Sequence, residues 1–304
     1  MKSSLTLILF CLMLFLGSCS TSEIKQSNQI FLNLELQTSD KNKEIILEHI
    51  LDQNIVFSIN FNIKESYELN DNILISDLKY FCNSLIHDQN IYLESIIFDS
   101  SKVKDNVLVI FSEEFTKEAE YLKNKYPDEL YFLINKKNYE NEIRKILGVK
   151  KSIDRYSEVS NLDKKLKINH SPRIRNDISK IYFLLEYDSG KTIVPLIRNY
   201  ALKIDAFSSS QIFHGANSFK KLTDFEDIYI PLSYQMLNEI KEKTTIKSIE
   251  YEFEKLLIKD FLLVETIYQN NLFKRNIALK TSSEQVEKNR CIDRNFSISK
   301  ISFE

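Results

Sequence analysis

The chain has 304 residues, of which 43% are hydrophobic, and its formal net charge is −2. A charge this close to neutral is not typical of a protein that binds nucleic acid. The length suffices for one large domain or two smaller domains with a sizeable core.

The N-terminus has the pattern of a bacterial lipoprotein signal. Lys2 provides a positive charge, and Leu5 to Leu16 is an uncharged apolar run that is too short to span a bilayer comfortably. The run ends in Leu-Gly-Ser-Cys, and Cys19 is the residue whose thiol would receive the lipid. We therefore predict a signal peptide over residues 1–18.

Residues 19–29 are then expected to form the lipid anchor and a polar tether. Fatty acyl chains such as palmitate on Cys19 would hold the protein on a membrane, since each buried CH₂ contributes roughly 0.8 kcal/mol. The residue after the cysteine is Ser20 rather than Asp, which favours the outer membrane. The predicted location is the periplasmic face of that membrane.

The first third of the mature chain is predicted to alternate strands with helices. The predicted elements are a strand at 30–36, a helix at 43–51, a strand at 54–61 and a helix at 76–89. Ser76 is expected to cap the second helix. Residues 91–98 fit either a helix or a strand.

The middle of the chain shows the clearest alternation. Short apolar runs predict strands at 106–111, 129–134, 181–185, 207–213 and 227–232. Helical spacing predicts helices at 113–125, 138–148, 152–166 and 192–202. Ser112 is expected to cap the first of these helices, Gly148 to end the second, residues 187–190 to form a turn, and Pro195 to lie in a first helical turn. This order predicts a parallel sheet covered by helices.

The last third differs from the middle. Helices are predicted at 234–243 and 249–270, the second of them long and apolar on one side. Residues 282–304 are predicted to form a turn and a small antiparallel hairpin.

The sequence carries none of the common motifs for catalysis or phosphate binding. The patterns GxSxG, HExxH and GxGxxG are absent, and so is the P-loop. The four histidines are scattered, and no cysteine–histidine spacing suits zinc. We therefore expect no enzyme activity, no cofactor and no metal.

Two polar groups are the candidate sites for a partner or a cleft. Arg173, Arg175 and Asp177 precede the strand at 181–185, where the arginines either meet an acidic partner or hold loops through carbonyl groups and the carboxylate. Ser208 and Ser209 either supply hydroxyls to a cleft or simply begin a strand. In both cases the structural role is the favoured interpretation.

Two cysteines other than Cys19 remain in the mature chain, Cys82 and Cys291. An exported protein can form a disulfide. However, cysteine is often a small core residue. We therefore expect two separately buried thiols rather than a Cys82–Cys291 disulfide.

The order of motifs in the second half of the chain resembles the C-terminal region of the LppC family, the LpoA-like lipoproteins that activate penicillin-binding proteins. The resemblance is carried by Leu-Gly-Val at 147–149, a helix with Ile153 and Arg155, Pro-Arg-Ile-Arg-Asn-Asp-Ile at 172–178, Asp-Ile-Tyr-Ile-Pro-Leu at 227–232 and Asn-Arg-Cys-Ile-Asp-Arg at 289–294. It is closest over 106–232, and the lipoprotein signal agrees with it.

This resemblance implies the type 1 periplasmic-binding-protein fold, with two Rossmann-like α/β lobes, parallel sheets and a cleft between them. Lobe 1 would comprise 30–105 and 225–304, and lobe 2 would comprise 106–224. The implied function is that of a non-catalytic outer-membrane lipoprotein that activates a class A penicillin-binding protein and so regulates peptidoglycan synthesis. The alternative is a periplasmic solute-binding lipoprotein that captures a small ligand between its lobes.

The sequence also departs from the family pattern. The helical-repeat N-terminal domain of longer members is not expected, because only about ninety residues separate Cys19 from Asn106. The Gly- and Ser-rich segment after the first strand is replaced by Gln-Thr-Ser-Asp at 37–40. This replacement argues against the capture of a small ligand.

Overall fold

A computed structural model of the protein describes residues 29–53, 55–62, 64, 66–98, 106–134, 138–162, 169–241, 247–274 and 277–302. The predicted signal peptide and Cys19 lie outside these residues. Within them, helices and strands alternate, and the strands form two sheets. No helix in this part of the chain is long and apolar enough to cross a membrane.

The first sheet has three parallel strands in the order β2-β1-β3. They are β1 (Phe31–Thr38), β2 (Val56–Asn60) and β3 (Tyr67–Leu69). Alternate residues of β1 are buried, so that Leu32, Leu34 and Leu36 share one face, which joins the core together with the helix α1 (Asp40–Asp52). The two strands and the helix that were predicted here are confirmed, whereas β3 was not predicted.

The helix α2 (Leu85–Ile97) begins nine residues later than predicted. Ser84 caps it and accepts a hydrogen bond from the backbone N–H of His87 at 3.2 Å. The predicted cap, Ser76, instead donates to the carbonyl of Asn72 at 2.7 Å. Residues near Phe81 cannot be helical because they pair with the C-terminal part of the chain, in a parallel bridge to Ile292.

The second sheet has six strands in the order β5-β4-β6-β7-β8-β9. They are β4 (Asn106–Phe111), β5 (Leu130–Leu133), β6 (Ile178–Leu184), β7 (Asp205–Ser208), β8 (Ile228–Leu232) and β9 (Ser297–Lys300). Neighbours from β5 to β8 are parallel, and only β9 runs antiparallel to its neighbour. The prediction of a mixed α/β protein with parallel sheets is confirmed.

Helices cover both faces of this sheet. The remaining helices are α3 (Thr116–Lys125), α4 (Tyr139–Ile146), α5 (Val149–Leu162), α6 (Tyr187–Ala201), α7 (Tyr234–Lys241) and α8 (Ile249–Gln269). On one face, Val109 and Tyr182 pack with residues of α2 and α3. On the other face, Ile110 and Phe183 join a core that continues through α4, α6 and α8 to the first sheet.

Helix α6 corrects two predictions. It begins at Tyr187, so residues 187–190 are helical rather than a turn, and Pro195 lies inside the helix rather than in its first turn. Gly190 packs tightly, because a Cβ there would lie 2.8 Å from Cγ1 of Ile212.

The predicted strand at 207–213 ends at Ser208, and a 3₁₀ helix (Ser210–Phe213) follows.

Gly148 ends α4 as predicted. Its φ of +73° is a left-handed conformation that favours glycine, and its N–H donates to the carbonyl of Lys145 at 3.1 Å.

Two amide side chains at the end of α8 take the place of a neighbouring strand along the first part of β1. Asn270 accepts from the N–H of Phe31 at 3.2 Å and donates to its carbonyl at 2.7 Å. Gln269 does the same for Asn33, at 2.8 and 2.7 Å. These four bonds satisfy backbone groups that would otherwise lack partners in the sheet.

The predicted hairpin at 282–304 is wrong. Within residues 282–302 the structure has a single strand, β9, which pairs with β8. The division into two lobes stays a prediction; β8 and β9, which that division assigns to lobe 1, pair within the larger sheet.

Cys82 and Cys291 form a disulfide, so the expectation of two separate thiols is wrong. The backbones on either side of the bridge are already paired. The N–H of Cys82 donates to the carbonyl of Ile292 at 2.9 Å, and the N–H of Ile292 donates to the carbonyl of Tyr80 at 2.8 Å. This pairing brings the two cysteines together although they are 209 positions apart.

A buried ion pair lies beside the disulfide. Nη1 of Arg294 donates to Oδ2 of Asp88 at 2.9 Å and to the carbonyl of Asn83 at 2.7 Å. The two charged side chains are 0% and 3% exposed, and the guanidinium lies 4.2 Å from the ring centroid of Phe81. The C-terminal segment is thus held to the start of α2 by a covalent bond, an ion pair and backbone hydrogen bonds.

Replacing both Cys82 and Cys291 with serine should lower the free energy of unfolding by about 2–5 kcal/mol, because the disulfide closes a long loop in the unfolded chain. Guanidinium denaturation of the oxidised protein and the double variant measures this difference. Reductant should destabilise the original protein and leave the variant unchanged. Equal midpoints for the oxidised protein and the variant would contradict the prediction.

Candidate functional site

The carboxyl ends of β4 and β6 lie at the point where the order of strands reverses. The chain passes from β4 to β5 on one side and from β6 to β7 on the other. The connections therefore leave the sheet in opposite directions, and open α/β sheets bind ligands in the crevice at such a point. Ser112 follows β4 here, and Glu186 follows β6.

The polar side chains at this point bond to one another. The half-buried carboxylate of Glu186 accepts hydrogen bonds from the hydroxyls of Ser112 and Ser189. The N–H of Ser112 donates to the carbonyl of Leu184 at 3.1 Å. The prediction that Ser112 caps the following helix is wrong, because its side chain makes no capping hydrogen bond there.

The serines at the end of β7 and directly after it also lie inside the protein. Ser208, which is buried, donates to the carbonyl of Phe183 at 2.9 Å. The N–H and hydroxyl of Ser210 donate to Oε1 of Gln89 at 3.0 and 2.9 Å, and Gln89 donates to the carbonyl of Pro231 at 2.9 Å. Ser209 is buried between them. Hence Gln89 fixes α2 to the carboxyl ends of β7 and β8.

The predicted arginine group lies at the opposite edge of the sheet. Phe183 and Ser208 are register partners near the carboxyl ends of β6 and β7, whereas Asp177 precedes the first residue of β6. At about 3.3 Å per residue, Asp177 and Phe183 are about 20 Å apart along the strand. The structure therefore does not bring the arginines and the serines into one site.

Arg175 and Asp177 hold this edge together. Nε of Arg175 donates to Oδ1 of Asp177 at 2.6 Å, and Nη2 contacts the other carboxylate oxygen. The guanidinium lowers the pKa of Asp177, and the carboxylate raises the pKa of Arg175. The N–H of Arg175 also donates to the carbonyl of Leu147 at 2.8 Å. Arg175 thus links the segment before β6 to Asp177 and to the end of α4, while the interpretation that Arg173 and Arg175 together hold loops stays a prediction.

The side chain of Arg173, in contrast, is exposed. The backbone N–H of Arg173 donates to Oγ of Ser152 at 3.1 Å, and this bond fixes the backbone. The guanidinium lies at the surface. It lines a cavity of about 690 Å³ between α5 and the segment that precedes β6. Arg173 is thus the predicted residue best placed to meet a partner.

Sequence reasoning missed Gln89, Glu186 and Ser189. The predicted helix at 76–89 ends at Gln89, whereas in the structure Gln89 lies in the second turn of α2. Glu186 could have been found, because it closely follows the most apolar strand of the predicted sheet, where open α/β sheets place functional side chains.

The described part of the chain offers no group of three or more metal-ligating side chains. His214 follows the 3₁₀ helix after β7, and burial lowers its pKa to about 3. Its Nε2 is buried and has no hydrogen-bond partner among the described residues. Its ring packs edge-on against Phe253, with centroids 6.0 Å apart. This histidine is therefore neutral in the folded protein.

The structure is similar to several solved structures at low sequence identity. Haemophilus influenzae LpoA in a monoclinic form matches with 9% identity over 92% of this chain and 60% of that chain, at a TM-score of 0.47. A putative branched-chain amino acid ABC transporter from Rhodospirillum rubrum matches with 10% identity over 90% and 96%, at 0.45. The isoleucine complex of the substrate binding protein LivJ from Streptococcus pneumoniae matches with 9% identity over 90% and 96%, at 0.39.

The neighbours thus include both LpoA and proteins with type 1 periplasmic-binding-protein-like folds. This chain spans about half the length of full-length LpoA, at 46% of that chain. No protein-family model matches the chain, and no curated protein matches it.

Replacing Gln89 with alanine should lower the free energy of unfolding by about 2–4 kcal/mol, because it leaves buried groups of Ser210 and Pro231 without partners. Guanidinium denaturation measures the loss. Alanine at the exposed Gln53 is the matched control and should change stability by less than about 0.5 kcal/mol. Equal effects at the two positions would argue against a structural role for Gln89.

Acid should destabilise the protein through His214. Because its pKa is lower in the folded than in the unfolded chain, the unfolded chain binds a proton first as the pH falls below about 6.5. Above that pH, His214 makes its whole contribution to the free energy of unfolding. By pH 5 this contribution should have fallen by about 2 kcal/mol. The variant His214→Gln should remove this part of the pH dependence of unfolding, whereas His87→Gln, at an exposed position, should keep it.

Proposed function

We propose that this is a non-catalytic lipoprotein of the outer membrane that activates a class A penicillin-binding protein and so regulates peptidoglycan synthesis. The lipoprotein signal ending at Cys19 and the LppC-like order of motifs support this proposal. The structural observation that carries it is at the carboxyl edge of the large sheet. There, the polar groups of Gln89, Glu186 and Ser208 are engaged with other parts of the same chain.

Such a protein would act by contact. A regulator that binds the active state of a synthase more tightly than the inactive state shifts the population toward the active state. No reacting group is needed for this effect. Anchoring through Cys19 would keep the regulator on the outer-membrane side of the peptidoglycan.

The proposed contact includes Arg173. Its guanidinium is exposed and its backbone is fixed by Ser152, so an acidic surface could meet it without a change in the fold. Arg175 is a poorer probe, since its side chain is engaged with Asp177. Ser208 and Ser209 are buried and would act only through the fold.

The second candidate function is capture of a small solute. Its support is the position of Ser112 and Glu186 at the strand-order reversal, where open α/β sheets bind ligands. A solute would have to displace the bonds that Glu186 makes with Ser112 and Ser189. A screen of amino acids and short peptides by thermal shift tests this alternative.

To test the proposed function, the purified protein comprising residues 20–304 is mixed with a class A penicillin-binding protein from the same organism. Complex formation and the rate of glycan cross-linking are then measured. We expect a complex and a faster rate of glycan cross-linking. Arg173→Glu should weaken the complex about tenfold, because it reverses a charge in the contact. Lys220→Glu, a charge reversal at an exposed position outside the proposed contact, should leave the affinity unchanged.

Absence of a complex up to about 100 µM would reject the activator function, since a regulatory contact needs tighter binding. A thermal shift with a small solute under the same conditions would then favour the second candidate. A complex that Arg173→Glu and Lys220→Glu weaken equally would reject Arg173 as part of the contact.

A further inference from the structure

The cavity beside Arg173 is strongly basic. Five cationic side chains of the described residues line it: Lys145, Lys151, Arg155, Arg173 and Arg175. Among the described residues, no carboxylate lines it, although Asp154 and Glu158 belong to the same helix as two of the cations. Of the five, Arg175 alone forms an ion pair within the described part of the chain, with Asp177.

The cavity is a half-open depression in the surface. Its volume is about 690 Å³, within the range of about 300–1,000 Å³ that small-molecule sites occupy. Ile146 and Ile174 contribute apolar surface, and the backbone of Gly148 lines another side.

One wall is rigid and polar. The rings of Tyr156 and His170 are stacked, with centroids 4.4 Å apart and planes 11° apart. Oγ of Ser152 lies 3.2 Å from Nε2 of His170 and accepts from the N–H of Arg173. These contacts hold the segment before β6 against α5, so the cavity exists without a ligand.

Lys145, Lys151, Arg155 and Arg173 have no carboxylate partner among the described residues, so their positive charges repel one another. This electrostatic repulsion is reduced when an anion enters. A single carboxylate carries one charge, whereas a phosphate group carries about −1.5 to −2 at pH 7 and three acceptor oxygens. Arginine pairs with phosphate through two parallel hydrogen bonds, and lysine through a point charge. The density of charge in the cavity therefore fits phosphate best.

We propose that this cavity is a binding site for a phosphate-bearing ligand, with Lys151 and Arg155 as its principal contacts. Both residues lie on α5 one turn apart, on the face that lines the cavity. The phosphate belongs either to a free anion or to a lipid headgroup. The site does not depend on the proposed activation of a synthase.

The experiment titrates the full chain, in a non-ionic detergent, with pyrophosphate by calorimetry. Binding is expected, and it should weaken when NaCl is raised from about 50 to about 300 mM, since salt screens the charges. The variant Lys151→Gln/Arg155→Gln should bind about 100-fold more weakly, because two charge-assisted contacts are lost. Lys220→Gln/Lys221→Gln removes two exposed cations elsewhere and should bind as the original protein does.

Short-chain phosphatidic acid, as a soluble monomer, distinguishes the two sources of phosphate. Tighter binding than pyrophosphate supports a lipid headgroup, and binding of pyrophosphate alone supports a free anion. Short-chain phosphatidylcholine, whose headgroup is neutral overall, should not compete. Unchanged thermal midpoints show that both double variants are folded. Failure of both phosphate ligands to bind, or equal affinity in the two double variants, would overturn the proposal.

Discussion

Two consecutive residues of α2, Asp88 and Gln89, connect this helix to the C-terminal segment and to the large sheet. Asp88 accepts a hydrogen bond from the buried Arg294, and Gln89 bonds to Ser210 and Pro231. The first contact fixes the C-terminal segment, and the second fixes the carboxyl ends of two central strands. Removing one partner of a buried ion pair typically costs about 3–5 kcal/mol, because the other charge remains buried. The large sheet and the C-terminal segment therefore depend on one helical turn.

The edges of the large sheet have different chemistry. At the carboxyl edge, hydroxyls surround Glu186, and the polar groups satisfy one another within the fold. At the amino edge, cations collect beside α5, and only Arg175 among them has a carboxylate partner in the described part of the chain. The first arrangement favours rigidity, whereas the second leaves charge available for a ligand or a partner. The fold thus separates its structural polar groups from its available charge by the length of a strand.

The local pattern of the sequence predicted most of the elements but not their long-range contacts. The strands at 106–111 and 181–185 were found because apolar β-rich runs are a local signal. The start of α2 was misplaced because the residues around Phe81 pair with Ile292, and no local pattern reveals a partner so distant. The disulfide was missed for the same reason. The distance between the arginine group and the serine group could not be predicted either, because it depends on strand register, which the local pattern does not determine.

The amide groups of Gln269 and Asn270 have a consequence for association between molecules. A strand edge with free N–H and carbonyl groups is a template for pairing with another chain. Along Phe31 and Asn33 these groups are occupied by side chains from the end of α8, which cannot extend into a further strand. An incoming strand would have to displace four hydrogen bonds before it could form its own. The end of a helix thus protects this edge against strand addition and aggregation.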